Sequence, residues 1–332
     1  MKIGFLGAGT WGFSLASLLA SKGLPIVLWG KNREKIKQLQ ETREHPKLPG
    51  CLAPHNVTFT SSLQEVLEGC TILIEAVTTQ GIRPVFTEIQ KCGPLLIPVI
   101  LTSKGIEQGT SLLLPEVLID VMGLSFKNQI GCLTGPSHAE EVIKKLPTST
   151  VASAYNPLLI PQIHALFSTP FFRVYPNHDL NGVCFGGAMK NIIAIACGIS
   201  DGIGFGDNTK AAIMTRGLHE IRKLSVTKGA KEETLNGLSG LGDLCGTCLS
   251  QHSRNTKFGK LIGEGLSIDK AKEKVGMVVE GVYTCLSALE LAQKFHIATP
   301  ITEAVYSILY EEVSPQEAVK KLLERTIKEE HL

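Results

Sequence analysis

The chain has 332 residues, 43% of them hydrophobic and 19% charged, with 33 basic and 31 acidic side chains and a formal net charge of +2. That balance belongs to a soluble globular protein able to bury a large core without disulfides or a structural metal, and the length favours two domains. It excludes a disordered chain, and the lack of a broad basic field argues against nucleic acid as the main partner, while a local basic pocket for a small anion stays open.

The first half alternates β-rich runs with helical patterns. Strands are expected at Lys2–Leu6, Ile26–Trp29, Val57–Thr60, Thr71–Val77, Pro98–Thr102, Ile130–Thr134, Ser149–Ala154 and Phe171–Tyr175. Helices between them include Trp11–Ser21, Leu63–Glu68, Ile82–Lys91 and His138–Lys144. Such alternation implies βαβ units and a mostly parallel sheet covered on both faces.

The first strand runs into Gly7-Ala-Gly9-Thr10-Trp11-Gly12 and then an apolar helix. This is G-x-G-x-x-G between a strand and a helix: Gly7 allows the tight turn, Gly9 lets a pyrophosphate approach the backbone, and Gly12 lets helix and strand pack closely. The helix N-terminus offers free N–H groups and partial positive charge to the phosphates. After the second strand no acid stands where a ribose 2′-hydroxyl would be bound. Lys31 and Arg33 supply positive charge instead, which favours NADPH or dual use unless both are ordinary solvated cations.

Thr102-Ser-Lys104-Gly105 follows a buried strand, and Gly135-Pro-Ser137-His-Ala139 follows another and opens a helix. Both put polar groups at the carboxyl edge of the sheet, where ligands of open α/β folds bind.

Beyond Tyr175-Pro-Asn177 the strand pattern stops, and a domain boundary is expected near residues 178–181. Helical spacing then occupies 181–199, 208–227, 241–250, 255–263, 268–275, 281–295 and 301–310, with a charged amphipathic helix at Pro315–Glu329. The expected architecture is a Rossmann-type α/β domain over 1–180 and an all-α domain over 181–332.

In the first of these helices Gly182, Gly186, Lys190 and Ala194 share one stripe. Glycine in a helix costs about 1 kcal/mol relative to alanine, so the bared stripe needs a reason. Either it lets a backbone or ligand approach with the Lys190 amine projecting into the gap, or it serves close packing while Lys190 snorkels outward. A lysine taken partly out of water releases its proton more readily and can act as a base near neutrality. Leu238-Ser-Gly-Leu-Gly-Asp243 and Ser253-Arg254-Asn255 follow. The second is a good phosphate or carboxylate receptor at a helix start, while Asp243 either orients the lysine or caps a helix. His138 is a weaker acid–base candidate.

Nine cysteines are scattered along the chain. Only Cys245-Gly-Thr-Cys248 has suggestive spacing, and His252 and Cys285 make no second tight pair, so reduced structural thiols are expected and no metal. Residues 1–6 read as a strand rather than a signal segment, and the apolar stretch Ile192–Ile199 is too short to cross a bilayer. A cytoplasmic protein without membrane insertion is expected.

Taken together, these motifs resemble the bacterial-type NAD(P)-dependent sn-glycerol-3-phosphate dehydrogenases. The resemblance runs from the glycine fingerprint through Thr102-Ser-Lys-Gly105, Gly135-Pro-Ser137, Lys190-Asn191, Ser200-Asp-Gly-Ile-Gly-Phe-Gly206, Gly240-Leu-Gly-Asp243, Ser253-Arg-Asn255 and Val279-Glu-Gly281. It implies a homodimer interconverting dihydroxyacetone phosphate and sn-glycerol 3-phosphate with NADPH or NADH, supplying the glycerol phosphate backbone of phospholipids. By the same resemblance Lys190 is the catalytic proton acceptor, and Lys104, Gly135, Ser137, Asp243, Ser253, Arg254 and Asn255 contact the substrate. Thr10, Trp11, Lys31, Lys104, Ala139, Arg254, Val278 and Glu280 match positions that contact the cofactor. Thr10 stands where the family commonly has serine, and His138 where it often has an aromatic residue.

Overall fold

The computed structural model describes residues 1–326 and residue 329. The chain forms two compact units, Met1–Ser103 with Leu114–Leu180, and Lys104–Leu113 with Asn181 onward.

The first unit is built on an eight-stranded sheet of order β3-β2-β1-β4-β5-β6-β7-β8. Its strands are β1 (Lys2–Leu6), β2 (Ile26–Trp29), β3 (Val57–Thr60), β4 (Cys70–Glu75), β5 (Val99–Leu101), β6 (Ile130–Thr134), β7 (Thr148–Ala154) and β8 (Phe172–Pro176). Among the described strands of this sheet only β6 and β7 pair antiparallel, with Gly131 opposite Ala154. Helices α1 (Thr10–Ala20), α2 (Arg33–Thr42), α3 (Leu63–Leu67), α4 (Thr79–Lys91), α5 (Leu114–Met122), α6 (Ala139–Val142) and α7 (Leu159–Phe167) belong to the same unit. The expected strands are all present, β1, β2, β3 and β6 with the expected bounds and the other four with ends moved by one or two residues. Helices α2, α5 and α7 add to the helices expected from the sequence.

Ile3, Phe5, Leu28, Ile74 and Ile100 are fully buried, which is why these strands read as continuous apolar runs rather than alternating ones. Asn32 and Ser62 start α2 and α3 by accepting the N–H of Lys35 and Glu65. Strand β1 pairs with β2 on one side and β4 on the other, so the strand order reverses at its carboxyl end. A crevice at such a reversal is where open α/β sheets bind ligands.

The second unit is helical: α8 (Leu180–Ile203), α9 (Asp207–Ser225), α10 (Asp243–Cys248), α11 (Arg254–Gly263), α12 (Ile268–Val275), α13 (Glu280–Lys294), α14 (Pro300–Tyr310) and α15 (Pro315–Leu323). A π turn at Leu238–Gly242 leads into α10. The charged helix expected over Pro315–Glu329 ends at Leu323, and residues 327 and 328 of that expected span lie outside the described residues.

Two expectations need correction. The segment Lys104–Leu113, assigned from the sequence to the first half, groups with the helices. The physical reason is that Ile106 and Leu113 are fully buried in the helical core. In addition, Ser287 Oγ donates to the Glu107 carbonyl at 3.1 Å and Ser111 Oγ to Glu290 at 3.1 Å. The stretch Ile192–Ile199 is also only part of a longer apolar helix. Helix α8 has 24 residues and is long and apolar enough to cross a membrane, yet 89% of its apolar window is buried within the protein.

Helices α8 and α11 meet at backbone distance: a Cβ on Gly198 would stand 2.9 Å from Lys260 N, and one on Gly259 2.9 Å from Ile199 N. That contact sets the start of α11, with Arg254 and Asn255, beside the middle of α8. Glu220 on α9 starts α14 from a buried position, accepting Ile301 N at 2.6 Å and Thr302 N at 3.1 Å.

Candidate active site

In the first unit, Gly7 follows β1 with φ +110, and a Cβ there would stand 2.9 Å from Val77 N. Only glycine fits that turn. Above Gly9, among the described residues, nothing lies within 4 Å of where a Cβ would be. Gly9 is also the N-cap of α1, whose first turn has no side-chain cap and no acid. Unspent N–H groups facing open space at the strand-order reversal fit a dinucleotide pyrophosphate.

Thr10 is buried, Trp11 half-buried and Lys31 exposed. Ser14 Oγ donates to the Ala139 carbonyl at 3.1 Å, so the start of α6 is fixed beside the fingerprint helix. Gly135 has φ +129, and Ser137 Oγ donates to its carbonyl at 2.9 Å. His138 occupies the N-cap of α6, where its carbonyl accepts Val142 N at 3.0 Å.

In the second unit one carboxylate collects two ammonium groups. Lys190 Nζ donates to Asp243 Oδ1 at 2.5 Å and to Thr247 Oγ1 at 2.5 Å, and Lys104 Nζ donates to Asp243 Oδ2 at 2.6 Å. The Asp243 side chain is 2% exposed and that of Lys190 9%, so Lys190 does not snorkel outward. The bared stripe of α8 serves packing as well: a Cβ on Gly186 would stand 2.6 Å from the Ser239 carbonyl of the π turn that leads into Asp243. Burial works to raise the Asp243 carboxyl, but Lys104 and Lys190 outweigh it and hold it below the usual range. Burial pushes the Lys104 ammonium down to about 8, against the pull of Asp243 and with the help of Lys190. Two cations on one anion leave the cluster net positive, which suits a phosphate ester or a developing alkoxide.

Asn255 links three helices. Its Nδ2 donates to Asn191 Oδ1 at 3.0 Å, and its Oδ1 accepts Gly281 N at 2.9 Å. Ser253 caps α11, accepting Thr256 N at 3.2 Å. Arg254 is exposed and donates to the Val278 carbonyl at 3.1 Å, which brings together two residues singled out for cofactor contact. Glu280 opens α13 close by in sequence.

Sequence reasoning passes over two residues that the structure brings forward. Thr247 lies four residues after Asp243 on α10, a spacing that puts both on one helix face. Glu75 ends the central strand β4, where an acid after Thr-Ile-Leu-Ile is the available signal. The cysteine pair shows a different character. The Cys248 thiol is pushed up by its hydrogen bond with Cys197 and by burial, which suits a small buried hydrophobe.

The N-terminal model of NAD-dependent glycerol-3-phosphate dehydrogenase matches residues 2–159, and the C-terminal model matches residues 179–320. The chain belongs to the NAD-dependent glycerol-3-phosphate dehydrogenase family. A glycerol-3-phosphate dehydrogenase [NAD(P)+] of Protochlamydia amoebophila is 55% identical over 331 residues, covering 100% of this chain and 99% of the relative. Another from Chlamydia trachomatis is 54% identical, covering 99% of each. The crystal structure of glycerol-3-phosphate dehydrogenase from Coxiella burnetii has a TM-score of 0.93 at 37% identity, covering 98% of this chain and 99% of that one. Family membership therefore spans both units, and the chain is an NAD(P)-linked oxidoreductase.

Proposed function

We propose that this dehydrogenase interconverts dihydroxyacetone phosphate and sn-glycerol 3-phosphate with NADH or NADPH, and that Lys190 exchanges the proton at the substrate C2 oxygen. The observation that carries the reading is the buried Asp243 carboxylate holding Lys190 and Lys104 on its two oxygens. When bound, the nicotinamide supplies or takes the hydride. Gly7, Gly9, Gly12, Thr10 and Trp11 would hold the dinucleotide, with Lys31, Ala139, Lys104, Arg254, Val278 and Glu280 as the further contacts that the family resemblance implies.

In the reducing direction negative charge grows on the C2 oxygen. Lys190 gives it a proton, and the Lys104 ammonium stabilises the charge before transfer. Asp243 orients both amines, and because Lys104 stays on its second oxygen, the carboxylate is never left unpaired when Lys190 turns over its proton. Thr247 also accepts from the Lys190 nitrogen, its hydroxyl 3.4 Å from the Asp243 oxygen that the amine shares. Arg254, Ser253 and the second N–H of Asn255 grip the substrate phosphate, with Gly135 and Ser137 as additional contacts, so that remote binding energy aligns the reacting carbon. A homodimer, a cytoplasmic location and a role in supplying glycerol phosphate for phospholipids belong to the same proposal.

The test is NADPH and NADH oxidation by the purified protein with dihydroxyacetone phosphate, beside a panel of 2-keto acids. Turnover confined to the phosphorylated ketone is expected, and turnover of a keto acid instead would overturn the assignment. In that assay a second result is expected from Lys104. Its ammonium is charged below about 8 and neutral above, so the reduction rate falls on the alkaline side. Lys104→Arg, charged at all working pH, moves that limb upward by at least about one pH unit at reduced overall rate. An unmoved limb would assign it to another group.

A further inference from the structure

Glu75 lies at the end of β4 with no exposure to solvent, a position where an apolar residue would complete the strand at lower cost. Its carboxyl group accepts Val77 N at 2.7 Å and Ser103 N at 3.4 Å, and Ser103 Oγ stands 2.8 Å from its Oε1. The main chain joins the same knot: Thr102 Oγ1 donates to the Glu75 carbonyl at 2.6 Å, and Ser103 Oγ donates to the Val77 carbonyl. The exits of the neighbouring strands β4 and β5 are thus tied together by the Glu75 carboxyl group along with the Thr102 and Ser103 hydroxyls. The segment it ties is the wall behind the glycine turn, since Ala76 N donates to the Leu6 carbonyl at 2.8 Å and a Cβ on Gly7 would stand 2.9 Å from Val77 N.

We propose that Glu75 is a positioning residue of the dinucleotide site, its side chain clamping the exits of β4 and β5 so that Ala76–Val77 keep the Gly7 turn in binding geometry. The inference rests on the proposed function only in taking that turn as the cofactor site. The clamp is a matter of hydrogen bonds rather than of charge. Its partners are Val77, Thr102 and Ser103, all uncharged, and burial pushes the Glu75 carboxyl up to about 7 against their hydrogen bonds. A hydroxyl has one hydrogen to give. When the carboxyl is protonated it can donate to Ser103 Oγ, and the serine hydrogen then serves the Val77 carbonyl. A glutamine amide at position 75 can keep both close partners, with its oxygen in the place of Oε1 accepting Val77 N and the Ser103 hydroxyl and only the long contact from Ser103 N given up.

The experiment is direct titration of the protein with NADH, followed by nicotinamide fluorescence, for wild type, Glu75→Leu, Glu75→Gln and Ser103→Ala. E75L fills the space without the ties and is expected to bind NADH about tenfold more weakly. In the same variant, KM for dihydroxyacetone phosphate and kcat at saturating cofactor should change less than about twofold. E75Q restores the ties and should bind NADH within about threefold of wild type. Wild-type affinity in E75L, or E75Q as weak as E75L, would overturn the proposal. So would an equal loss in KM for dihydroxyacetone phosphate, which would mark general damage to the fold. Should E75L not fold, S103A removes a half-buried hydroxyl from the clamp and is expected to weaken NADH about threefold; unchanged affinity there overturns it as well. Wild-type protein that binds NADH but does not reduce dihydroxyacetone phosphate would sink the proposed reaction and leave Glu75 in place.

Discussion

Lys190→Ala is expected to lower kcat by about three orders of magnitude while the protein still folds. The amine is the group of the cluster proposed to pass a proton, and its nitrogen is held by Asp243 and Thr247 at 2.5 Å from each. Removing it leaves Asp243 paired with Lys104 at 2.6 Å, so no buried charge is orphaned. The stability loss should then be that of a shortened buried side chain, about 2–3 kcal/mol. KM for dihydroxyacetone phosphate should move less than kcat, because the phosphate is gripped elsewhere. A small primary amine added to the variant should restore part of the rate by occupying the vacated space. Turnover within about tenfold of wild type would remove Lys190 from proton transfer.

Much of this arrangement is legible in the sequence because local pattern and packing agree there. The apolar runs of β1, β2 and β4 are buried on both faces, and such runs carry their own signal. The fingerprint is legible for the same reason: Gly7, Gly9 and Gly12 act within a single turn. What sequence order hides is long-range pairing. Lys104 and Asp243 are 139 residues apart, and nothing local at either position says that they meet. Resemblance, rather than spacing, groups them. Lys104–Leu113 follows β5 in the chain and so reads as part of the first half, while Ile106 and Leu113 pack in the helical core. Asn255 reads as a phosphate ligand, yet its oxygen is committed to Gly281 N and one amide hydrogen to Asn191, a joint that only the α8–α11 contact reveals. Glu75 escapes notice because a carboxyl group inside an apolar strand has no pattern to belong to; its meaning lies in the exits it ties together.

Asp243→Asn is expected to damage catalysis and to damage folding more severely than the loss of either lysine. The substitution keeps the shape but leaves Lys190 and Lys104 facing each other without a counter-charge. Unpairing a buried charge costs about 3–5 kcal/mol, and here two ammonium groups lose the same partner. The thermal midpoint should fall by roughly 5–10 °C at neutral pH. The pH dependence follows from Lys104, whose ammonium already sits down at about 8 with Asp243 supporting it. Without that support it moves lower still, so raising the pH neutralises Lys104 and narrows the gap between variant and wild type. Turnover should drop by about two orders of magnitude or more, since neither amine is oriented. Adding Lys104→Met to Asp243→Asn removes one of the two repelling charges, and the pair should recover at least about half of the lost stability. An Asp243→Asn protein as stable as wild type at neutral pH would mean that the two ammonium groups do not depend on this carboxylate, and the electrostatic account of the site would fail.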